Sequence, residues 1–272
     1  MKVAEPGVYA VRFARAETTR SNMYLRYRSY REEDGPMFCD FYFWVLVHPE
    51  GIILFDTGFD DRYPVSIQLG FEDGLAALGL TTADVDQVVV SHLHSDHTGN
   101  IPRLTGARFL VPEQEWRFWT SPMGRRGLFA GEMLEGYLGD LATVEREGRL
   151  QTTGPGTRIA AGVRTMSAAG HTAGSQILIV DSPHGSIALA SDAAHFREEL
   201  DLDRPFSIAS NVADMYTSFD MLRELERQGT TVIPGHESTI ADAYPRVSGD
   251  GGVPAVVRTL DLTGIKRTTE ED

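Results

Sequence analysis

One hexapeptide constrains this chain more than any other feature: His92-Leu93-His94-Ser95-Asp96-His97, within "VDQVVVSHLHSDHTGN". Four side chains able to hold a metal follow directly on Val85 to Ser91, an apolar run that reads as a buried strand. In an extended segment residues two apart share a side, so His92 and His94 can reach one point. A turn or helix start after Ser95 would aim Asp96 and His97 at a neighbouring point. The plain alternative is a loop of surface histidines, and the rest of the chain argues against it.

The other strong strands end in the same way. Val163–Met166 leads through "SAAG" to His171, Ser186–Ser191 runs into Asp192, and Thr231–Ile233 leads through "PG" to His236. Five of the eight histidines therefore stand just past strand ends, where side chains of a sheet edge converge on a crevice. Such a set can serve two ions. His92, His94 and His171 suit one, Asp96, His97 and His236 the other, and Asp192 can bridge them. Nitrogen and oxygen donors suit Zn2+ first, and also Mn2+, Co2+ or Fe2+. Cys39 is the only cysteine, which leaves no disulfide and little scope for thiolate ligation. An open position on each ion marks a catalytic centre suited to a carbonyl or phosphoryl oxygen.

Composition narrows the partners. A net charge of −14, with only two lysines and no basic stripe, opposes docking on nucleic acid. The longest apolar run, Phe41 to Val47, is far too short to span a bilayer. The start "MKVAEPGVYA" lacks the apolar core of a signal peptide, so a cytoplasmic protein is expected. A length of 272 residues with no visible boundary reads as one domain over 1–272 ending in an acidic, flexible "TTEED" tail. No Walker loop or dinucleotide fingerprint is present, and "GHTAG" is a poor nucleophile elbow because Thr172 stands at the nucleophile position.

Strand and helix signals alternate. "GVYAVRFA" reads as a strand, and "FYFWVLV" with "GIILFDTG" reads as a hairpin turning at His48-Pro49-Glu50-Gly51. Helix is expected over Gly74–Leu80, in two pieces between 114 and 145 broken near Ser121-Pro122, and over Val212–Gln228 ended by Gly229. Strands are expected at Val163–Met166, Gln176–Val180 and Ser186–Ala190. The chain reads as α/β with many short strands. His48 and His184 flank turns and read as exposed.

"HLHSDH", with "GHTAGS", "SDAAH" and "IPGHES" downstream, resembles the metallo-β-lactamase superfamily, and within it the N-acyl-homoserine lactonases. The resemblance runs from Leu54 through His236. It implies an αββα sandwich of two facing mixed sheets flanked by helices, and the seven ligands named above. It also implies that Asp56, in "FDTG", accepts the free N–H of a ligand imidazole. The implied activity is that of a quorum-quenching lactonase. A small-molecule lactone ring is opened at two divalent ions, with a metal-bridging hydroxide as nucleophile and Asp96 or His195 assisting departure of the alkoxide. Other esters, thioesters, phosphodiesters and β-lactams are the alternatives on this fold. The shortage of lysines counts against phosphodiesters. Beyond the substrate, the partner left open is a second copy of the chain.

One position departs from the family pattern. Where the lactonases usually carry a tyrosine three residues after the bridging aspartate, this chain has His195. An imidazole there could donate to a developing oxyanion or act as general acid. Tyr216 is a candidate replacement for the phenol. Two aromatic and methionine-rich stretches could line a pocket, with Met23 and Tyr24 in one and Trp119 and Phe129 in the other.

Overall fold

Phe41 to Val47 is apolar throughout because it is covered on both faces. Phe41, Phe43, Val45 and Val47 point into one core, and Tyr42, Trp44 and Leu46 into another, as the two-residue period of a strand requires. The computed structural model describes residues 3–249 and 255–266, and the expected acidic tail lies outside the described residues. In chain order the first strands are β1 (Gly7–Thr19), β2 (Pro36–His48), β3 (Gly51–Phe55), β4 (Val85–Val89), β5 (Arg108–Pro112) and β6 (Leu150–Thr153). They are followed by β7 (Arg158–Ala160), β8 (Val163–Ser167), β9 (Gln176–Ser182), β10 (Gly185–Ser191), β11 (Thr230–Pro234), β12 (Arg246–Ser248) and β13 (Val256–Asp261). The α-helices are α1 (Arg20–Met23), α2 (Phe71–Ala76), α3 (Glu113–Thr120), α4 (Glu135–Arg146), α5 (Arg197–Leu202), α6 (Val212–Arg227) and α7 (Ile240–Ala243).

Two sheets form. One has eight strands in the order β12-β13-β1-β2-β3-β4-β5-β6, and the other five in the order β11-β10-β9-β8-β7. Leu46, Ile53 and Phe55 of the larger sheet meet Leu178, Val180 and Leu189 of the smaller one in a central core. A second core lies between the larger sheet and α2, α3 and α4, through Leu75, Trp119, Tyr137 and Leu141. A third lies between the smaller sheet and α5 and α6, through Ile177, Ile179, Leu200, Met215 and Phe219. The layers are helix, sheet, sheet, helix, which is the αββα sandwich. No helix among the described residues is long and apolar enough to cross a membrane.

Local chemistry accounts for the elements. The hairpin of β2 and β3 pairs His48 with Gly51. Asn211 caps α6 by accepting the amides of Ala213 and Asp214, and Gly229, at φ +92°, ends the helix. The two helical pieces between 113 and 146 break at Ser121, as expected. Helix α2 begins three residues earlier than the expected Gly74, because Glu72 and Asp73 favour its first turn and Gly79 stops the chain in a left-handed conformation.

Strands β5, β6, β7, β12 and β13 have no clear signal in the sequence. Their length is the reason: three to six residues each, with β6 and β12 half exposed. Pairing, not local pattern, makes them strands. His48 is a correction: it is buried, its Nε2 lying 3.0 Å from the Ala161 carbonyl and its Nδ1 accepting from the Glu50 amide.

Candidate metal centre

The donor residues come from strand ends of both sheets. Strand β4 releases His92, His94, Asp96 and His97, while β8, β10 and β11 of the smaller sheet deliver His171, Asp192 and His236. Two backbone features make this approach feasible. Ser191, ending β10, takes φ +45°, an uncommon conformation for a non-glycine residue that turns Asp192 inward. Gly170 and Gly235 precede His171 and His236, and a Cβ on either would stand 2.3 Å from the Met215 amide or 2.6 Å from the Ser191 carbonyl.

The seven side chains fall into two groups. The first is His92, His94, His171 and Asp192; the second is Asp96, His97, Asp192 and His236. Within each group the donor atoms lie within 4.8 Å of one another. Asp192 belongs to both through different oxygens. Its Oδ2 lies 3.2 Å from His171 Nε2 and 3.7 Å from His92 Nε2. Its Oδ1 lies 3.2 Å from both His97 Nε2 and His236 Nε2. Asp96 Oδ2 stands 3.6 Å from His97 Nε2 and 3.8 Å from His236 Nε2.

Four of the imidazoles are tethered on their outward nitrogens, His92 Nδ1 lying 2.9 Å from the Ser91 hydroxyl oxygen. His171 Nδ1 donates to the Ile208 carbonyl at 3.0 Å, and His236 Nδ1 to the Asp40 carbonyl at 2.9 Å. Asp56, at φ +64°, accepts from His97 Nδ1 at 2.8 Å, from the Ser91 amide at 2.7 Å and from the Ser91 hydroxyl at 2.8 Å. The inward nitrogens converge on carboxylate oxygens. His92 Nε2 and His97 Nε2 are buried with no hydrogen-bond partner. Donors about 2.0–2.1 Å from one ion stand about 3.0–3.4 Å apart in an octahedral or tetrahedral shell. The 3.2 Å pairs about Asp192 match that spacing, so the residues fit a pair of divalent cations.

Electrostatics divide the imidazoles. Burial pushes His92 and His94 well below the usual imidazole range, which keeps their lone pairs free. For His97, burial is outweighed by Asp192, Asp96 and Asp56, which hold the imidazole above its usual value. Asp192 is also buried, yet His97, His195, His236 and His92 keep it well below the usual carboxylate range.

Beside the first group lies a cavity of about 110 Å³ with His94 and His171 in its floor. Phe118, Trp119, Leu128 and Phe129 supply its apolar wall, and the 207–210 loop closes the opposite side. Of the pocket residues expected from sequence, Trp119 and Phe129 line this cavity. Met23, Tyr24 and Tyr216 do not. Met23 and Tyr24 pack into the core beneath α5 and α6, and Tyr216 is 37% exposed on α6. The Met23 carbonyl accepts the Ser207 amide at 2.7 Å, so that segment supports the cavity loop from behind. His195 is buried, 2% exposed, and absent from the cavity lining.

Two contributors are invisible in sequence. Glu115 on α3, fully buried, accepts from the Leu93 amide at 3.1 Å, the Gly174 amide at 2.7 Å and Trp119 Nε1 at 2.9 Å. It ties the first histidine segment, the loop after His171 and the cavity wall together. Tyr63 stacks on Phe59, ring centres 4.6 Å apart, and the charge of Asp96, with burial, pushes its phenol up. "PEQEWRFW" reads as an ordinary exposed helix face, so nothing local singles out Glu115.

The metallo-β-lactamase superfamily profile matches residues 38–236. The N-acyl homoserine lactonase AttM of Azorhizobium caulinodans is 30% identical over 236 residues, covering 75% of this chain and 82% of the relative. The AttM lactonase of Agrobacterium fabrum is 27% identical, covering 72% and 81%. Among solved structures, a quorum-quenching N-acyl homoserine lactone lactonase superposes with a TM-score of 0.73 at 20% identity, covering 90% of this chain and 98% of that one. AidC, a dizinc quorum-quenching lactonase in complex with a product, gives 0.72 at 15% identity, covering 88% and 90%. Both structural likenesses concern the sandwich itself. The chain is a metal-dependent hydrolase belonging to the metallo-β-lactamase superfamily, within its N-acyl-homoserine lactonase family.

Proposed function

We propose that this enzyme opens the ring of N-acyl-homoserine lactones or of closely similar uncharged lactones, using two divalent ions. The observation that carries the reading is the pair of donor groups sharing Asp192, the first of which meets a largely apolar cavity through His94 and His171. His92, His94, His171 and Asp192 would hold one ion, and Asp96, His97, His236 and Asp192 the other. When bound, such ions supply a hydroxide nucleophile near neutral pH and an electrophile for the ester carbonyl.

The chain's own residues do the rest. Asp56, Ile208 and Asp40 fix the outward nitrogens of three imidazoles, so the donor atoms need little rearrangement. The wall of Phe118, Trp119 and Phe129 excludes water and accepts an acyl chain. Asp96, the one half-buried donor, would take up the proton that the nucleophile releases on attack and hand it to the departing ring alkoxide. No lysine or arginine lines the cavity and Glu132 does, which favours uncharged substrates over phosphodiesters or carboxylate-bearing thioesters. The product complexes of relatives support this choice, one holding N-hexanoyl-L-homoserine at its catalytic metal centre.

A pH-indicator assay of the metal-loaded protein tests it. The panel is acyl-homoserine lactones of several chain lengths, other lactones, phosphodiesters, thioesters and β-lactams. Proton release is expected with the lactones, and its absence with every lactone would sink the reading.

A further inference from the structure

One loop serves both the cavity and the donors. Ser207, Ile208, Ala209 and Ser210 line the cavity, and the Ile208 carbonyl holds His171 Nδ1 at 3.0 Å. No helix or strand among the described residues includes 203–211, so the loop's position is set by what packs against it. On the cavity side, the Ser210 amide donates to the carbonyls of Gly170 and His171, both at 2.9 Å. Behind the loop, Ser207 donates its amide to the Met23 carbonyl at 2.7 Å and its hydroxyl to the Asn22 carbonyl at 2.6 Å. The Leu25 amide donates to the Pro205 carbonyl at 2.8 Å, and Tyr24 and Phe206 pair as an antiparallel bridge.

Residues 20–33 form a strap. Arg26 and Arg31, at φ +53° and +59°, turn the chain on either side of a single helical turn at Tyr27–Tyr30. The Tyr27 hydroxyl accepts from Arg20 Nε at 3.2 Å and donates to the Glu33 carbonyl at 2.8 Å, which closes the strap on itself. Arg204 fixes its far end to the loop. Arg204 Nη1 donates to Glu32 Oε2 at 2.8 Å and to Glu198 Oε1 at 3.1 Å, and Nη2 donates to Glu32 Oε1. Its guanidinium lies over Tyr30, 4.5 Å from the ring centre. Glu198, on α5, is also bonded by Arg20. The Arg204 side chain is only 9% exposed. A charge so far out of water gains little net stability from its partners, because desolvation offsets the attraction. The planar fork on both oxygens of Glu32 supplies direction instead, since it admits one orientation of the two segments.

We propose that Arg204 is a positioning residue for the cleft. Gripped by Glu32, Glu198 and Tyr30, it seats the strap against 205–207 and so fixes the loop that both walls the cavity and tethers His171. The proposal rests on the two-ion lactonase reading of the site. It makes the cavity wall and the direction of His171 a single adjustment. Loosening Arg204 should widen the wall that meets the acyl chain and release His171 from Ile208. The group of Asp96, His97 and His236 should not respond, because its tethers run to Asp56 and Asp40. The competing arrangement is a loop held by the Gly170 and His171 carbonyls alone, with Arg204 serving only fold stability.

Arg204→Met separates the two, since it keeps an apolar stem and leaves Glu198 bonded by Arg20. Co2+ is titrated against a chromophoric chelator with this change placed in His236→Ala, where the first donor group alone is filled, and in His94→Ala, where the second is. Affinity of the first group should fall about 10-fold, and that of the second should not move. In the metal-loaded single variant, KM should rise about 10-fold for a long-chain acyl-homoserine lactone and far less for a short one. The change in KM should exceed that in kcat. Glu32→Ala removes the half-exposed partner, should show the same pattern at smaller size, and serves if Arg204→Met does not fold. Arg204→Lys should recover part of the loss. Both groups weakened alike, or a lower urea midpoint with ion affinities and KM at parent values, would overturn the proposal. A parent chain that binds fewer than two Co2+ would overturn the two-ion reading, and this inference with it. Inactivity of the parent on every lactone would sink the substrate reading alone, and the ion titration, which needs no substrate, would still decide the role of Arg204.

Discussion

The donor groups and the wall of the adjoining cavity share one cleft and are built differently. Every donor except Asp96 is buried, and the outward nitrogens of His97, His171 and His236 rest on fixed acceptors. The wall comes from the end of α3, the segment after it and the 207–210 loop, where Leu128 is 77% exposed and Phe129 half-buried. Metal donors must be positioned to a few tenths of an ångström, and strand ends with buried supports provide that. A wall for an acyl chain needs only apolar area and room to adjust, and a helix end with loops provides that. On the proposed reading, reaction type is held by the rigid part and substrate range by the adaptable one.

Substitutions on either side should behave accordingly. His236→Ala should have the largest effect: loss of the second ion and a fall in turnover of more than about 100-fold, since even partners behind ligands are worth 10–100-fold. Elemental analysis and the lactone assay, read together, check it; full turnover with one ion missing would break the contrast. Glu115→Ala comes next, because it strands three buried donors on the segments it joins. At about 1 kcal/mol or more for each, a loss of about 3 kcal/mol is expected in urea unfolding.

Asp56→Asn keeps the shape but alters what His97 Nδ1 meets. Affinity for the second ion should fall about 10–100-fold by chelator competition, with the first ion less affected. On the cavity side, Phe129→Ala should leave metal content unchanged. It should raise KM about 10-fold for a long-chain acyl-homoserine lactone, whose tail buries more apolar surface against that ring, and far less for a short one. Equal effects on both chain lengths would show that the wall does not read the acyl chain.

The smallest effect concerns Asp60, which is neither a donor nor part of the cavity lining. Burial alone would raise its pKa, but hydrogen bonds from Arg62 and Tyr137 lower it to about 2. A carboxylate depressed in the folded state stabilises fully above its unfolded value near 3.8 and loses that contribution as pH falls through about 2. Urea stabilities of the parent and Asp60→Asn should therefore converge between those two values.

The same contrast governs what is legible in the sequence. His92, His94, Asp96 and His97 lie within one hexapeptide, and His171, Asp192 and His236 each follow a strand whose apolar pattern marks it. Donor chemistry and strand period are local properties, so the donor groups and an α/β chain of short strands can be read from them, while the αββα layering follows only from the family resemblance. Residue type alone assigns Met23, Tyr24 and Tyr216 to a pocket, and for these three it misleads. Their packing under or on α6 depends on which face of the smaller sheet they meet.

From the sequence by itself come the donor residues, their division into two groups and the class of chemistry, because each rests on residue type and short spacing. Only the tertiary structure decides which nitrogen of each tethered histidine faces inward, since acceptors distant in sequence set that choice. Asp40 lies 196 residues from His236, and Asp56 lies 41 from His97. The tertiary structure likewise reveals Glu115 as the clamp between two histidine segments. It places His195 between Asp192 and Glu199 and away from the cavity. A side chain's chemistry is written in its identity, but its protonation and direction are set by neighbours that only folding brings within reach.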